Sequence, residues 1–456
     1  MSAASPIHPI HAFDYGTDLA AACRSEPGLF PFLLESAARG GAQGRYDLLF
    51  VRPDPEMLVL HADGRLTGPH ADGESGDFLA TLDSWWRAER TEQASDAAPF
   101  RGGWFLYLGY ELIGQIEPNL GLRAGRDLPV AFAARVPAVL IRDHSSRSLR
   151  YVAEPGTDPA IEAALSTALA QTLPAEMPAI VGGLEEDEPG RYLDQVERAR
   201  RYIYEGDIFQ ANLSRRWSAS LAAGADSTGL YARLRRANPA PFAGLALYGD
   251  SAIISSSPER LVSVAEQRVD TRPIAGTRPR SSDPARDAVM IRELIENPKE
   301  RAEHVMLLDM ERNDLGRLAE PGSVKVDELM VVESYTHVHH IVSNVCARLR
   351  QGTTPAQVIR AVFPGGTITG CPKVRCMQVI AELEQASREA YTGAMGYLNR
   401  DGDLDLNILI RTLVQKDRRL EFRAGAGIVA DSIPQRELEE TRAKARGLAR
   451  ALGADA

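Results

Sequence analysis

Two short acidic patterns carry the first chemical suggestion in this sequence. Near the C-terminus, Glu437, Glu440 and Lys444 stand at i, i+3 and i+7, so two carboxylates and an ammonium share one face of a helix. That helix follows Gly425-Ala426-Gly427, which reads as a strand end and a tight Gly-rich turn, with Ser432 as its cap and Gln435 three residues on. A second E-x-x-E pair, Glu300 and Glu303, opens a helix whose start is spelled out by Asn297 as N-cap and Pro298 at the first helical position. Either pair alone is explained by a solvated charged face, and Glu300 by a capping box. Two pairs on two helices match what Mg²⁺ needs: one or two direct carboxylates, others that hold its waters, and a position open to a substrate oxygen.

Other residues add anion-binding and proton-transfer chemistry. Arg411 falls in the nearly apolar run 406–414, which reads as a buried strand. A guanidinium there needs either an internal Asp or Glu or the carboxylate of a ligand. The stretch 363–373 offers a Gly-rich backbone and the hydroxyls of Thr367 and Thr369 ahead of a helix, an anion site without the spacing of a phosphate loop. Ser257-Pro258-Glu259 puts an acid at a strand end. His340 lies in the apolar run 338–342, where a satisfied core histidine is the ordinary outcome.

The elements that must position these groups come in blocks of strands and blocks of helices. An α+β fold is expected, a large mixed sandwich of antiparallel sheets flanked by helices, rather than a doubly wound sheet. Residues 1–180 read as an N-terminal lobe with aromatic and apolar strand-like runs at 46–51, 103–110 and 138–141. The Pro-, Gly- and acid-rich segment 172–190 reads as a linker, and 190–452 as the second lobe. The 456 residues carry a net charge of −10, which argues against nucleic acid or an anionic membrane as partner. Four cysteines without paired spacing, no apolar run of membrane-spanning length and no leader-like start suggest a soluble cytoplasmic protein.

Together these pieces resemble the chorismate-utilising enzymes: anthranilate, aminodeoxychorismate, isochorismate and salicylate synthases. The matching motifs run in family order from Gly206-Asp207-Ile208-Phe209-Gln210 to Lys444. They include Ser257-Pro258-Glu259, Pro273-Ile274-Ala275-Gly276-Thr277, Glu303-His304, Arg312-Asn313-Asp314-Leu315-Gly316, Gly370-Cys371-Pro372-Lys373 and Glu437 with Glu440. The resemblance implies that Glu303 and Glu440 bind Mg²⁺ directly, and Glu300 and Glu437 through water. The metal would hold the ring carboxylate of chorismate, helped by Thr367, Gly276 and Thr277. Arg411, Tyr391 and the amides of Gly425, Ala426 and Gly427 would hold the enolpyruvyl carboxylate. Glu259 would be the general acid for the departing 4-hydroxyl, with Gln210, His340 and Lys444 completing the catalytic set.

Water-adding relatives carry a lysine where Gln210 stands, so ammonia is the implied nucleophile. No cysteine sits in a glutaminase-type nucleophile elbow, so ammonia would come from a separate glutamine amidotransferase subunit. Ala275 stands where many aminodeoxychorismate synthases carry lysine, as in anthranilate synthases. The loop 363–373 and the stretches 103–111 and 406–412 resemble the aminodeoxychorismate branch instead. The expected product is 4-amino-4-deoxychorismate, on the way to 4-aminobenzoate and folate, with anthranilate plus pyruvate as the alternative. An inactive tryptophan-binding protein would have lost the acid or metal ligands, and Glu259, Glu303 and Glu440 are all present. Leu33-Leu34-Glu35-Ser36 matches the segment lining a tryptophan pocket in related proteins, with Pro241, Phe242 and Ala243 as its far wall.

Overall fold

Three runs, Gly103–Leu108, Ala131–Val136 and Ala138–Asp143, are strands in which every residue is buried. Strands covered on both faces need a layer on each side. In the computed structural model, which describes residues 14–38, 44–73, 75–92, 98–170, 180–335 and 338–454, those layers are a second sheet and a coat of helices. Among the described residues, two sheets of eleven strands each, antiparallel throughout, stack as the sandwich expected. Between them lies an aromatic core in which Phe32 of one sheet stacks on Phe105 of the other at 4.1 Å between ring centroids. On the outer faces, separate apolar clusters seat helices such as Phe78–Glu89 and Pro298–Gly316 on one sheet and Ser227–Ala237 and Pro434–Leu452 on the other.

The two ends of the chain are woven into the same sheets. Phe32–Glu35 pairs with Phe242–Tyr248 in one sheet, and Gly103–Leu108 pairs with Ala394–Asn399 in the other. Of the segment expected as a linker, residues 172–179 lie outside the described residues. Ile180–Glu186 is a strand paired with Gln210–Leu221. Its acidic end is held there by Arg442, which donates to Glu186 at 2.6 Å, so charge that suggested solvent serves an ion pair instead.

Two passages between the sheets set up the chemistry. The chain leaves the first sheet after Ser251–Ser257 and enters the second at Arg260–Ala265, with Glu259 on the crossing. It returns from Leu404–Asn407 in the second sheet to Thr412–Lys416 in the first, with Arg411 on that crossing at φ +52°. The run 406–414 is therefore a strand, a crossing and a strand, not one buried strand. The crossings lie side by side: Ile408 N–H donates to Glu259 O at 3.0 Å and Ser256 N–H to Arg411 O at 3.1 Å.

Candidate active site

Glu259 is 5% exposed, and its Oε1 accepts from Ile274 N–H at 3.4 Å. Burial pushes its carboxyl up to about 8. The nearby Thr367 hydroxyl, the Ile274 amide and the Arg411 guanidinium pull down, while Glu311 pushes up further. A glutamate in this state carries a proton at neutral pH, which a general acid requires. Thr367, in the tight turn Gly366–Ile368, has a buried hydroxyl without full hydrogen-bond geometry to any partner. Arg411 is the complement: burial lowers its guanidinium, and only Glu259 partly offsets this. No ion pair to Arg411 is found among the described residues, so the internal salt bridge weighed from sequence is not formed within ion-pair distance.

His340 donates or accepts through Nδ1 to Thr277 Oγ1 at 2.9 Å across the paired strands Ile274–Pro279 and Val338–Arg348. Burial, then Arg411, lowers it to about 3, so it is neutral near pH 7. Gly276 sits at a bulge with φ +68°, where a Cβ would collide with Glu300 Oε2. That close approach draws the glutamate helix over the sheet.

Gly425 and Gly427 are part of the strand Arg419–Ile428, not of a turn; the turn is Val429–Ile433. Their lack of side chains is a matter of space. A Cβ at Gly425 would lie 2.6 Å from Tyr391 Oη and 2.7 Å from Asn212 Oδ1, and one at Gly427 would collide with Gln210 Nε2. Gln210 donates to Glu303 Oε1 at 3.0 Å, leaving its own Oε1 buried without a partner. It has no basic group to offer water. Tyr391 is 6% exposed, and burial raises its phenol to about 12.

The first turn of Pro298–Gly316 approaches the turn that leads into Pro434–Leu452, where Lys299 meets Asp431 at 3.0 Å. Asn297 caps Pro298–Gly316 as expected, accepting from Lys299 and Glu300 N–H. Ser432 does not cap the other helix. Its hydroxyl accepts from Val429 N–H at 3.0 Å inside the turn, and Pro434–Leu452 starts after Ile433. Burial raises Glu303, and the charge of Glu440 raises it further. Burial raises Glu437, again with Glu440 adding. Glu300 pairs with Arg278 at 2.7 Å through one oxygen, and its other oxygen is buried without a partner. Glu440 pairs with Lys444 at 2.8 Å, and Lys444 also donates to Gly425 O at 2.9 Å. Glu440 thus repels Glu303 and Glu437, and the four carboxylates do not close into a tight cluster. The one tight group of potential ligands among the described residues, Asp270, Asp327 and Cys346, is elsewhere, with both carboxylates paired to Arg268 and accepting from Asn344 Nδ2.

Ser36, Pro241, Phe242 and Ala243 do converge, lining a cavity of about 350 Å³ together with Leu34, Met395 and Asn407. Ser36 Oγ donates to Pro241 O at 3.1 Å there. A larger basin of about 380 Å³ borders Tyr391 on the side of Arg388 and Arg423, away from Glu259. Sequence reasoning missed the Arg388–Glu384 pair behind Tyr391, Glu311 near Glu259, and the grip of Lys373 on Asp314 one turn beyond. The acid-to-acid spacing of Glu311 and Asp314 on a helix face that also carries Leu307 and Leu308 was the available signal.

This geometry has close relatives. The family model for chorismate binding enzymes matches residues 51–450. The chain is 40% identical over 436 residues to aminodeoxychorismate synthase component 1 of Bacillus subtilis (strain 168), covering 92% of this chain and 91% of that one. It is 40% identical over 441 residues to anthranilate synthase component 1 of Streptomyces coelicolor, covering 91% and 82%. The crystal structure of anthranilate synthase component I from Streptococcus pneumoniae TIGR4 matches with a TM-score of 0.77 at 33% identity, covering 90% of this chain and 93% of that one. The chain belongs to the chorismate-binding enzyme family. It is a chorismate-utilising enzyme. Among the described residues, no helix is long and apolar enough to cross a membrane.

Proposed function

We propose that this chain is a cytoplasmic enzyme that aminates chorismate to 4-amino-4-deoxychorismate, the precursor of 4-aminobenzoate and folate. Its ammonia would be supplied by a glutamine amidotransferase subunit. The observation that carries the reading is the juxtaposed pair on the two sheet crossings: a protonated Glu259 beside an Arg411 without an ion-pair partner. Arg411 and Tyr391 hold the enolpyruvyl carboxylate, the guanidinium gaining the anion its site lacks. Glu259 delivers its proton to the 4-hydroxyl as the C–O bond breaks, because an allylic hydroxyl leaves poorly as hydroxide. Gln210 keeps the nucleophile choice on ammonia, since an amide cannot deprotonate water.

The donor set suits Mg²⁺. Glu303 and Glu440 would hold it directly, and Glu300 and Glu437 through water. The support is the raised, mutually repelling Glu303 and the orphaned Glu300 oxygen. When bound, the ion neutralises and orients the ring carboxylate. The cavity between Ser36 and Phe242 is proposed to take tryptophan, its volume and its Leu34, Phe242 and Met395 walls suiting an indole and Asn407 a polar end.

Anthranilate formation is the second reading, favoured by the alkyl side chain at Ala275, 7% exposed in the sheet, and by an anthranilate synthase component of equal identity. One assay decides. The purified chain is mixed with chorismate, Mg²⁺ and ammonium. A product converted to 4-aminobenzoate only after a lyase is added supports the proposal. Anthranilate fluorescence with pyruvate release supports the second reading, and unchanged chorismate refutes both.

A further inference from the structure

Behind Glu259 lies a second carboxyl that the proposed chemistry leaves unused. Glu311, on the helix Pro298–Gly316, is 6% exposed. It leans on the same two segments as Glu259. A Cβ on Gly366 would lie 3.2 Å from Glu311 Oε1, while the next residue, Thr367, turns its hydroxyl toward Glu259. On the other side, Thr271 faces Glu311 and the Ile274 amide meets Glu259. The hydroxyls of Thr271 and Thr367 are both buried and neither has a partner at full hydrogen-bond geometry. The ion pairs around them run elsewhere: Arg278 with Glu300 and Lys373 with Asp314. Two neighbouring carboxyls with unengaged hydroxyls beside them can share protons but cannot both ionise cheaply.

The arrangement continues outward. Asp314 is one helical turn beyond Glu311 and is gripped by Lys373, which also donates to Val362 O at 3.1 Å. Asp314 and Lys373 line a cavity of about 230 Å³ with Arg317, Arg360 and Pro364, at a different place from the glutamate helices' first turns.

We propose that Glu311 is the proton reserve of Glu259: it reloads the acid after each turnover and is itself refilled from the Asp314–Lys373 cavity. Glu311 touches no reacting atom; it positions the proton on Glu259. The protons balance. The C4–O electron pair leaves with oxygen, which takes the Glu259 proton and departs as water. Ammonia's lone pair forms the new C–N bond, and the resulting ammonium loses a proton to solvent. The Glu311 proton then moves to the Glu259 carboxylate, and water in the outer cavity returns one to Glu311. Burial, with Asp314 adding, raises Glu311 to about 7, so a large share of it holds a proton near neutrality and more of it at lower pH; Lys373, Thr271 and the Gly366 amide pull the other way.

The inference rests on Glu259 as the acid, and its test separates the two. In Glu311→Gln, rapid-quench measurement with chorismate, Mg²⁺ and ammonium below neutral pH should show a first turnover at the wild-type rate. Steady turnover should then be slower by about ten- to a hundredfold. Chorismate affinity should be unchanged, and Glu311→Asp should restore part of the steady rate. Equal loss of both phases, or no loss, overturns the proposal. An independent arm needs no turnover: infrared titration of the free protein should show the Glu259 carboxyl ionising at lower pH in Glu311→Gln, and an unmoved titration overturns it too. Failure of the acid assignment would appear elsewhere, as a wild-type chain inert toward chorismate or a Glu259→Gln variant of normal rate.

Discussion

Arg388, buried, and Arg411, half-buried, each lie near a glutamate, and there the likeness ends. Arg388 grips both oxygens of Glu384, at 3.0 Å through Nε and 2.6 Å through Nη2, and Arg423 adds a third contact at 3.1 Å. Burial alone would raise Glu384, but Arg388 and Arg423 outweigh it and carry the carboxyl below its usual range. Burial likewise opposes the Arg388 charge, and Glu384 more than restores it. At the other pair every sign is reversed: Glu259 is raised to about 8 and Arg411 is lowered. The first pair is complete and serves structure, its guanidinium lying 4.8 Å over Tyr110 and 5.5 Å over Tyr391. The second is left open, and an incoming carboxylate and a departing hydroxyl complete it. Buried charge without a partner is costly, so it marks where a ligand belongs.

The sharpest way to break this contrast is to truncate each arginine. Arg388→Met leaves the buried Glu384 with Arg423 as its one ion-pair partner beside the Ser214 N–H and hydroxyl, and urea unfolding should show a loss of about 3–5 kcal/mol. Arg411→Met should leave unfolding unchanged or slightly improved, while calorimetry shows chorismate affinity weakened by about 1.5–3 kcal/mol, the worth of a hydrogen bond to a charged group. If the two variants lose stability alike, the contrast is wrong. A smaller effect sharpens it through pH. Because the folded value for Glu259 is raised, its acid form is present below about pH 8 and lost above, so kcat/KM should fall as pH rises through that value. The same shift means its stabilising contribution is complete below the unfolded value, near pH 4.3, and disappears as pH climbs toward 8. Glu259→Gln should therefore gain stability over the parent across that window and not below it.

Local chemistry was legible in the sequence, and long-range geometry was not. The Asn297 cap was readable because the side chain and the amides it satisfies are neighbours in the chain. Ser432 has the same local signature, but the Val429 amide claims its hydroxyl. The run 406–414 is nearly all apolar because both sheets bury most of it, so periodicity could not reveal that the chain changes sheets at Arg411. The glycines at 425 and 427 look like a turn, yet their reason is the crowding of Tyr391, Asn212 and Gln210, which come from distant segments. The candidate site itself was named largely through resemblance to a family. Residues such as Glu311 and Arg388 acquire meaning only once the turn Gly366–Ile368 and Tyr391 are seen against them.

The most direct measurement is made on Glu259→Gln, with chorismate binding and turnover followed in the same sample. The account predicts affinity close to the parent's and turnover lower by about two to four orders of magnitude, because the proton matters only as the C–O bond breaks. Near-normal turnover in that variant would contradict it.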